Sequence, residues 1–229
     1  MLSKIYCVYS EDKQIEEYNL KETNVLKLFN ANNLNLKENN INHINKYFCE
    51  LCAYYYVWKN QIKSDYIGFC HYSKFFNIDK FNIDFFKEDK SVQCYEYWIT
   101  WDNYIIQLNN WLTLYDIKWN LKIISHFINY MFEYYNINLY EIVSQKYFNE
   151  DNEYYQTGKN MYIFKWDDFN YFCEILFGFL NYLEENERKR ITEIQINLNS
   201  DSGIKVWGCF MEVITSVIIC TLFKPFINN

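Results

Sequence analysis

Apolar residues recur along this chain at helical spacing in some stretches and in short unbroken runs in others. From Ile44, the positions Phe48, Leu51, Tyr55 and Trp58 fall on one helical face. Ala53, Tyr54, Tyr56 and Val57 make the other faces apolar too, so this segment predicts one long, buried helix with Asn42 as its N-cap. Glu50 is the polar exception. It can pair with Lys46 one turn earlier or line a pocket. Then Ile67-Gly68-Phe69-Cys70 forms a continuous apolar run, which suits a strand covered on both faces in a parallel sheet. His71, Tyr72, Ser73 and Lys74 follow it, at the carboxyl end where open α/β sheets place their ligands.

The same reading extends to the other elements. Lys4 to Ser10 predicts a first strand, leading through polar loop into helix, and Val92 to Thr100 a second candidate strand. Between them, Phe81, Phe85 and Phe86 anchor a charged stretch. Residues 117–135 predict an amphipathic helix with Ile117, Leu121, Ile124, Ile128, Met131 and Tyr135 on one face and His126 on the solvent side. Asp167 and Asp168 suit the first turn of an apolar helix over 169–183. The last element, Lys205 to Phe223, carries an apolar stripe of Val206, Phe210, Val213, Val217 and Cys220. It has about the length needed to cross a bilayer, but Glu212 interrupts it, and a buried helix with one polar side fits better. A carboxylate there is either part of a site or bonded to backbone.

Composition narrows the class. At 229 residues, with half of them hydrophobic, 21% aromatic, one proline and five glycines, the chain has ample material for a single core. A net charge of −7 argues against a general nucleic-acid binder. The short basic cluster Arg188-Lys189-Arg190 lies among glutamates and reads as a solvated helix end. Eight cysteines do not form a disulfide framework at this length; Cys70, Cys173, Cys209 and Cys220 sit in apolar runs, and Cys49-x-x-Cys52 is a two-ligand fragment without a second pair. No secretory signal opens the chain, so reduced thiols in a cytoplasmic setting are the simplest expectation. The glycine-rich Rossmann fingerprint is absent after the first strand.

Two runs carry a family resemblance. Cys49-Glu50-Leu51-Cys52-Ala53-Tyr54-Tyr55-Tyr56-Val57-Trp58-Lys59-Asn60 precedes Asp65-Tyr66-Ile67-Gly68-Phe69-Cys70-His71-Tyr72-Ser73-Lys74-Phe75-Phe76. Together they resemble the capsular and exopolysaccharide biosynthesis family of glycosyltransferases. Those proteins carry Cys-Glu-Leu-Thr-Ala-Leu-Tyr-Trp-x-Trp-Lys-Asn and Asp-Tyr-x-Gly-x-Cys-His-Tyr-Arg-Arg-Tyr-Phe. The resemblance returns at Gly158 to Lys165, where the family has an Asn-Met-Phe-Ile-Met-Lys strand and the Asn160 amide at its start suits a sugar hydroxyl as well as a turn, and at Gly208-x-x-x-Glu212. It departs where Ser73-Lys74 replaces the arginine pair, Cys52 the threonine, Asn39 an acidic residue and Val213 an arginine. A histidine that the family often has upstream of the helix over 117–135 is missing, with only Asn109-Asn110 nearby.

The resemblance implies one α/β domain over 1–229 of the GT-A type, a nucleotide-sugar-binding fold with a mixed, mostly parallel sheet flanked by helices. It implies transfer of a hexosyl group, galactosyl among the candidates, from a nucleoside diphosphate sugar, by family habit UDP-linked, to a glycan hydroxyl. Such chemistry needs a stabilised leaving diphosphate and a carboxylate base. The catalytic candidates are Glu212, Glu50 and His71. The substrate-binding candidates are Lys74, placed near the diphosphate, with Tyr72, Asn40, Asp65, Asn160 and Gly208. A requirement for Mn²⁺ or Mg²⁺ is left open, because no Asp-x-Asp motif occurs. So is peripheral membrane association through the last helix. The alternative is a family member that has lost catalysis and binds a glycan or a protein.

Overall fold

The structure, a computed structural model, describes residues 3–76, 86, 89–95, 97–99, 117–139, 141, 155–157, 159–197 and 205–227. Phe81, Phe85, Asn109-Asn110 and Gly158 lie outside the described residues, as do the side chains over 184–197 and 205–210, which include the basic cluster, Cys209 and two members of the last helix's apolar stripe.

The first strand, β1 (Ser3–Tyr9), is parallel to β2 (Leu26–Asn30) on one side and to β3 (Tyr66–His71) on the other. Next to β3 comes β7 (Tyr162–Lys165), which runs antiparallel both to β3 and to β4 (Ser91–Cys94). The far edge is β8 (Lys224–Ile227), parallel to β4. Among the described residues this makes a six-stranded sheet in the order β2-β1-β3-β7-β4-β8, with β7 the reversed strand. A separate ribbon pairs β5 (Tyr97–Ile99) with β6 (Tyr155–Thr157). The run expected as one strand from Val92 to Thr100 is therefore split between two sheets.

Alternation along the strands sorts their side chains to two faces. Tyr6, Val8, Ile67, Phe69, Tyr162 and Phe164 face the larger core, built with α3 (Leu51–Lys59), α4 (Ile117–Tyr135), α5 (Trp166–Asn197) and α6 (Lys205–Leu222). Ile5, Cys7, Cys70 and Ile163 face a smaller one, closed by Leu20, Phe76 and Phe86, with α1 (Lys13–Glu17) beside it. The central four residues of β3 are all buried, as a strand covered on both faces requires.

Three expectations are revised. The helix predicted across Ile44 to Trp58 is broken: a 3-10 turn over Asn42–Ile44 leads into α2 (Asn45–Phe48), and Cys49 then takes a left-handed conformation (φ 47°) before α3 begins. Asn42 is not its cap, because its side-chain amide is buried and donates to the backbone carbonyls of Asn30 and Asn33. His126 is half-buried, its ring edge-on to Tyr182. In addition, β2 and β8 form where no strand was expected. The last helix is part of the core, with Met211, Ile214, Ile218 and Ile219 buried, and no helix among the described residues is long and apolar enough to cross a membrane.

Gly68 sits at the tightest point of the sheet, where an added Cβ would meet Ile163 Cγ1 at 2.9 Å and Ile5 Cγ1 at 3.1 Å. Both are branched side chains fixed near their own backbones, so neither yields easily. Gly68→Ala is expected to destabilise the fold by about 1–3 kcal/mol through overpacking. A urea titration that left the unfolding midpoint unchanged would contradict this packing.

Candidate functional site

The carboxyl ends of β1, β2, β3 and β4 and the start of β7 share one edge of the sheet. His71 ends β3 there, and the turn through Ser73 and Lys74 closes back on it, with the Lys74 N–H donating to the His71 carbonyl at 3.0 Å. Tyr72 continues the ladder by donating its N–H to the Val8 carbonyl at 3.1 Å. Its ring lies 3.9 Å, centroid to centroid, from that of His71 and meets Tyr18 edge-on.

The His71 ring has a defined orientation. The Ser73 N–H donates to Nδ1 at 3.3 Å, and the Ser73 hydroxyl lies 2.8 Å from the same nitrogen. Nδ1 therefore accepts, and the ring proton resides on Nε2. Nε2 faces Glu50, 3.7 Å from Oε1. Burial, then the positive charges of Lys74 and Lys159, hold the imidazole below its usual pKa, so it is neutral at pH 7. The contact is thus a carboxyl beside a neutral N–H and is not a salt bridge.

Glu50 reaches this position because the chain breaks before it. A left-handed conformation costs a non-glycine residue about 1–2 kcal/mol, and Cys49 adopts one between α2 and α3. Without that break, residue 50 would follow the α2 helix. Burial pushes the Glu50 carboxyl up to about 7, opposed by its own backbone hydrogen bond and reinforced by the negative charge of Glu212. It therefore exchanges a proton in the physiological range.

Glu212 comes from α6, one turn after Gly208. Its Oε1 accepts the backbone N–H of Lys159. Lys159 and Asn160 are both left-handed, with φ of 66° and 48°, and the turn they form is held at further points. The Thr215 hydroxyl is 2.6 Å from Asn160 Oδ1 and 2.9 Å from the Glu212 carbonyl, and its single proton serves one of them at a time. Tyr54, stacked 3.7 Å from Phe69, donates its hydroxyl to the Asn160 carbonyl at 2.7 Å. The backbone bond that the sequence left as one option for Glu212 is present. The Asn160 side chain is buried and its oxygen engaged. The Lys159 ammonium lies 5.9 Å from the centroid of Tyr95, near the limit of a cation–π contact.

The structure thus brings together Glu50, His71, Tyr72, Lys74, Asn160 and Glu212, and adds Ser73, Lys159 and Thr215, which sequence reasoning did not single out. Lys159 was visible as part of the family block beginning at Gly158, and Ser73 only as a departure from an arginine. Two expected residues stand apart. Asp65 precedes β3, at the opposite end of that strand from His71, and its carbonyl accepts the Trp166 N–H at 3.2 Å. Asn40 braces its own loop, donating to the carbonyls of Leu36 and Glu38 and accepting from the Asn42 N–H. A cleft of about 430 Å³ along β1 and β2, lined by Tyr6, Tyr9, Lys27, Phe29, Asn33 and Tyr56, is separate from the cluster.

Among the described residues, no three His, Cys, Asp or Glu side chains converge as a metal site. Cys52 is buried with its thiol directed to the Ile41 carbonyl at 3.6 Å, and burial holds it protonated. No third His, Cys, Asp or Glu joins the Cys49-x-x-Cys52 pair among the described residues. Asp167 and Asp168 occupy the first turn of α5, where the helix dipole favours negative charge, but the helix already begins at Trp166 and neither is its N-cap.

The raised Glu50 pKa has a consequence for stability. A carboxyl that binds its proton more tightly when folded weakens the fold as pH climbs from its unfolded pKa of about 4.3 through about 7. Glu50→Gln is therefore expected to stabilise the protein relative to wild type at pH 8, by up to about 4 kcal/mol, and to give no gain at pH 4. Paired thermal unfolding at the two pH values tests this. Equal differences at both would show that Glu50 titrates normally.

None of the curated proteins matches the sequence. The fold is similar to a solved structure described as "WbbM bifunctional glycosytransferase apo structure", with a TM-score of 0.62 and 18% identity. That alignment covers 100% of this chain and 46% of the other, so the chain spans less than half of that protein's length. At this identity the likeness is one of fold, and the mixed, mostly parallel sheet flanked by helices is what the two share. Residues 18–219 of the 229 match the family described as "Domain of unknown function (DUF4422)", and the chain belongs to that family.

Proposed function

We propose that this protein is a glycosyltransferase that moves a hexosyl group, galactosyl among the candidates, from a nucleoside diphosphate sugar to a glycan hydroxyl in polysaccharide or glycoprotein-glycan synthesis. The observation that carries the reading is the convergence of two carboxyls, an imidazole and two lysines at the carboxyl edge of the sheet. It occurs on a fold similar to that of a bifunctional glycosyltransferase. UDP is the nucleotide favoured by the family resemblance. A reducing, cytoplasmic setting belongs to the same reading: no disulfide joins the described cysteines, and Cys7 and Cys70 lie level on adjacent strands without bonding covalently.

Each group has a role in this reading. Glu50, with a pKa near the working pH, takes the proton of the acceptor hydroxyl as that oxygen attacks the anomeric carbon. The sugar–phosphate bond breaks, and the electron pair leaves with the diphosphate. Lys74 and Lys159 are the cations available to the growing negative charge. Glu212 holds the Lys159 turn in place and adds to the rise in Glu50 proton affinity that burial produces. No step here passes through a metal; Mn²⁺ or Mg²⁺, where required, would be held by one or two carboxylates together with the donor's own phosphates. The competing reading, a member that binds glycan or protein without turnover, draws on Glu212 and Asn160 being engaged inside the fold.

The test is a calorimetric and thermal-shift panel of UDP-, GDP- and dTDP-sugars and the free nucleotides, with and without Mn²⁺, followed by transfer assays with the donor that binds. One donor should stabilise the protein by mass action. Lys74→Ala should weaken its binding by about tenfold or more, the worth of a charge-assisted contact to phosphate. Binding without transfer would favour the non-catalytic member, and a Lys74→Ala protein with unchanged affinity would move the diphosphate elsewhere.

A further inference from the structure

The geometry points to Ser73 as a positioning residue that fixes His71 as a hydrogen-bond donor to Glu50, so that one carboxyl, Glu50, is the proton acceptor of the site. The argument rests on the glycosyltransferase reading for its reaction, but its structural part stands alone. Ser73 presents two groups to one ring nitrogen. Its backbone N–H donates to Nδ1 at 3.3 Å and its hydroxyl lies at 2.8 Å. With Nδ1 occupied as an acceptor, only Nε2 carries a proton, and Nε2 faces Glu50 at 3.7 Å. That gap is longer than a hydrogen bond and closes with a small side-chain rotation, as catalytic contacts do when substrate binds.

The groups around the pair support the same assignment. From β7's approach and from the turn after β3, Lys159 and Lys74 disfavour a positive imidazole. From α6, Glu212 disfavours a second carboxylate next to it, and on α3 the Cys52 thiol stays protonated. His71 thus has no free basic nitrogen and does not compete for the substrate proton. Glu212 has one oxygen committed to the Lys159 N–H. During transfer the acceptor O–H proton passes to a Glu50 oxygen, the new glycosidic bond forms, and the old sugar–phosphate bond releases the nucleoside diphosphate. The His71 Nε2–H supports the Glu50 carboxylate beforehand and keeps its own proton throughout.

Two measurements separate this assignment from the transferase reading. The first needs no substrate: ¹⁵N NMR of the His71 imidazole and ¹³C NMR of the Glu50 carboxyl across pH 5 to 9, in wild type, Ser73→Ala and Ser73→Thr. With only three histidines in the chain, His71 is assignable through a His71→Asn variant. Wild type is expected as the Nε2–H tautomer, with Glu50 titrating near 7. Ser73→Ala should mix the tautomers and raise the Glu50 titration by about half a pH unit, because a donor to the carboxylate is weakened. Ser73→Thr, which keeps the hydroxyl, should behave as wild type. An Nδ1–H tautomer in wild type, or a Glu50 titration that Ser73→Ala does not move, overturns the assignment.

The second measurement is the pH dependence of kcat/KM for the donor found in the panel. The acid limb should follow the Glu50 titration and shift upward in Ser73→Ala, with donor KM unchanged. A lower rate with an unshifted limb would mark Ser73 as merely structural and also overturn the assignment. Absence of transfer with every donor, alongside the expected NMR behaviour, would instead remove the transferase reading and leave the Ser73–His71–Glu50 arrangement standing.

Discussion

The turn at Lys159-Asn160 is the constraint on which the rest of the site depends. Two successive left-handed residues are unfavourable for side chains larger than glycine, and neither residue is glycine. The turn persists because α6 holds it through Glu212 and Thr215, and α3 holds it through the Tyr54 hydroxyl. Those contacts fix the relative placement of α3, α6 and β7. Glu50 stands just before α3, Glu212 lies on α6, and β7 pairs with the strand that ends in His71. Strain in the turn and order in the cluster are two aspects of one arrangement.

Electrostatics then follows from placement. Two carboxyls near each other in a half-buried setting cannot both ionise without cost. The Glu50 carboxyl rises chiefly through burial, then through the charge of Glu212, against the pull of its own backbone hydrogen bond. The imidazole beside it is depressed by burial and by two lysines. The site thus reaches neutral pH with a carboxyl poised to exchange a proton and a histidine held toward its neutral form.

Much of this was legible in the sequence, and the limits have physical causes. The unbroken run Ile67 to Cys70 announced a doubly covered strand, which stands in the fold, and the polar group after it lies at the sheet's carboxyl edge. The helix over 117–135 has the predicted bounds. What periodicity could not show was strand direction: Tyr162 to Lys165 reads the same whether parallel or reversed, and only pairing with both β3 and β4 decides it. The edge strands β2 and β8 carry weak alternation, because each has one neighbour and incomplete cover. The break at Cys49 is set by tertiary contacts, as nothing in an apolar helical pattern signals a left-handed residue. Asp65 was grouped with His71 by a shared motif, yet six residues of extended chain put about 20 Å between the strand's two ends.

The reversed strand at the centre of the sheet has a consequence for how the chain folds as it is synthesised. β3 meets its first partner, β1, early, but its other edge waits for β7, made long after it, and β4 waits for both β7 and β8. Loop-closure entropy must be overcome across that separation before the central pairing yields any return. Until then a strongly apolar strand stands with one edge unpaired, open to other chains. Yield in a cell therefore depends on how long the nascent chain is shielded at that stage, a kinetic demand set by topology and independent of how stable the finished fold is.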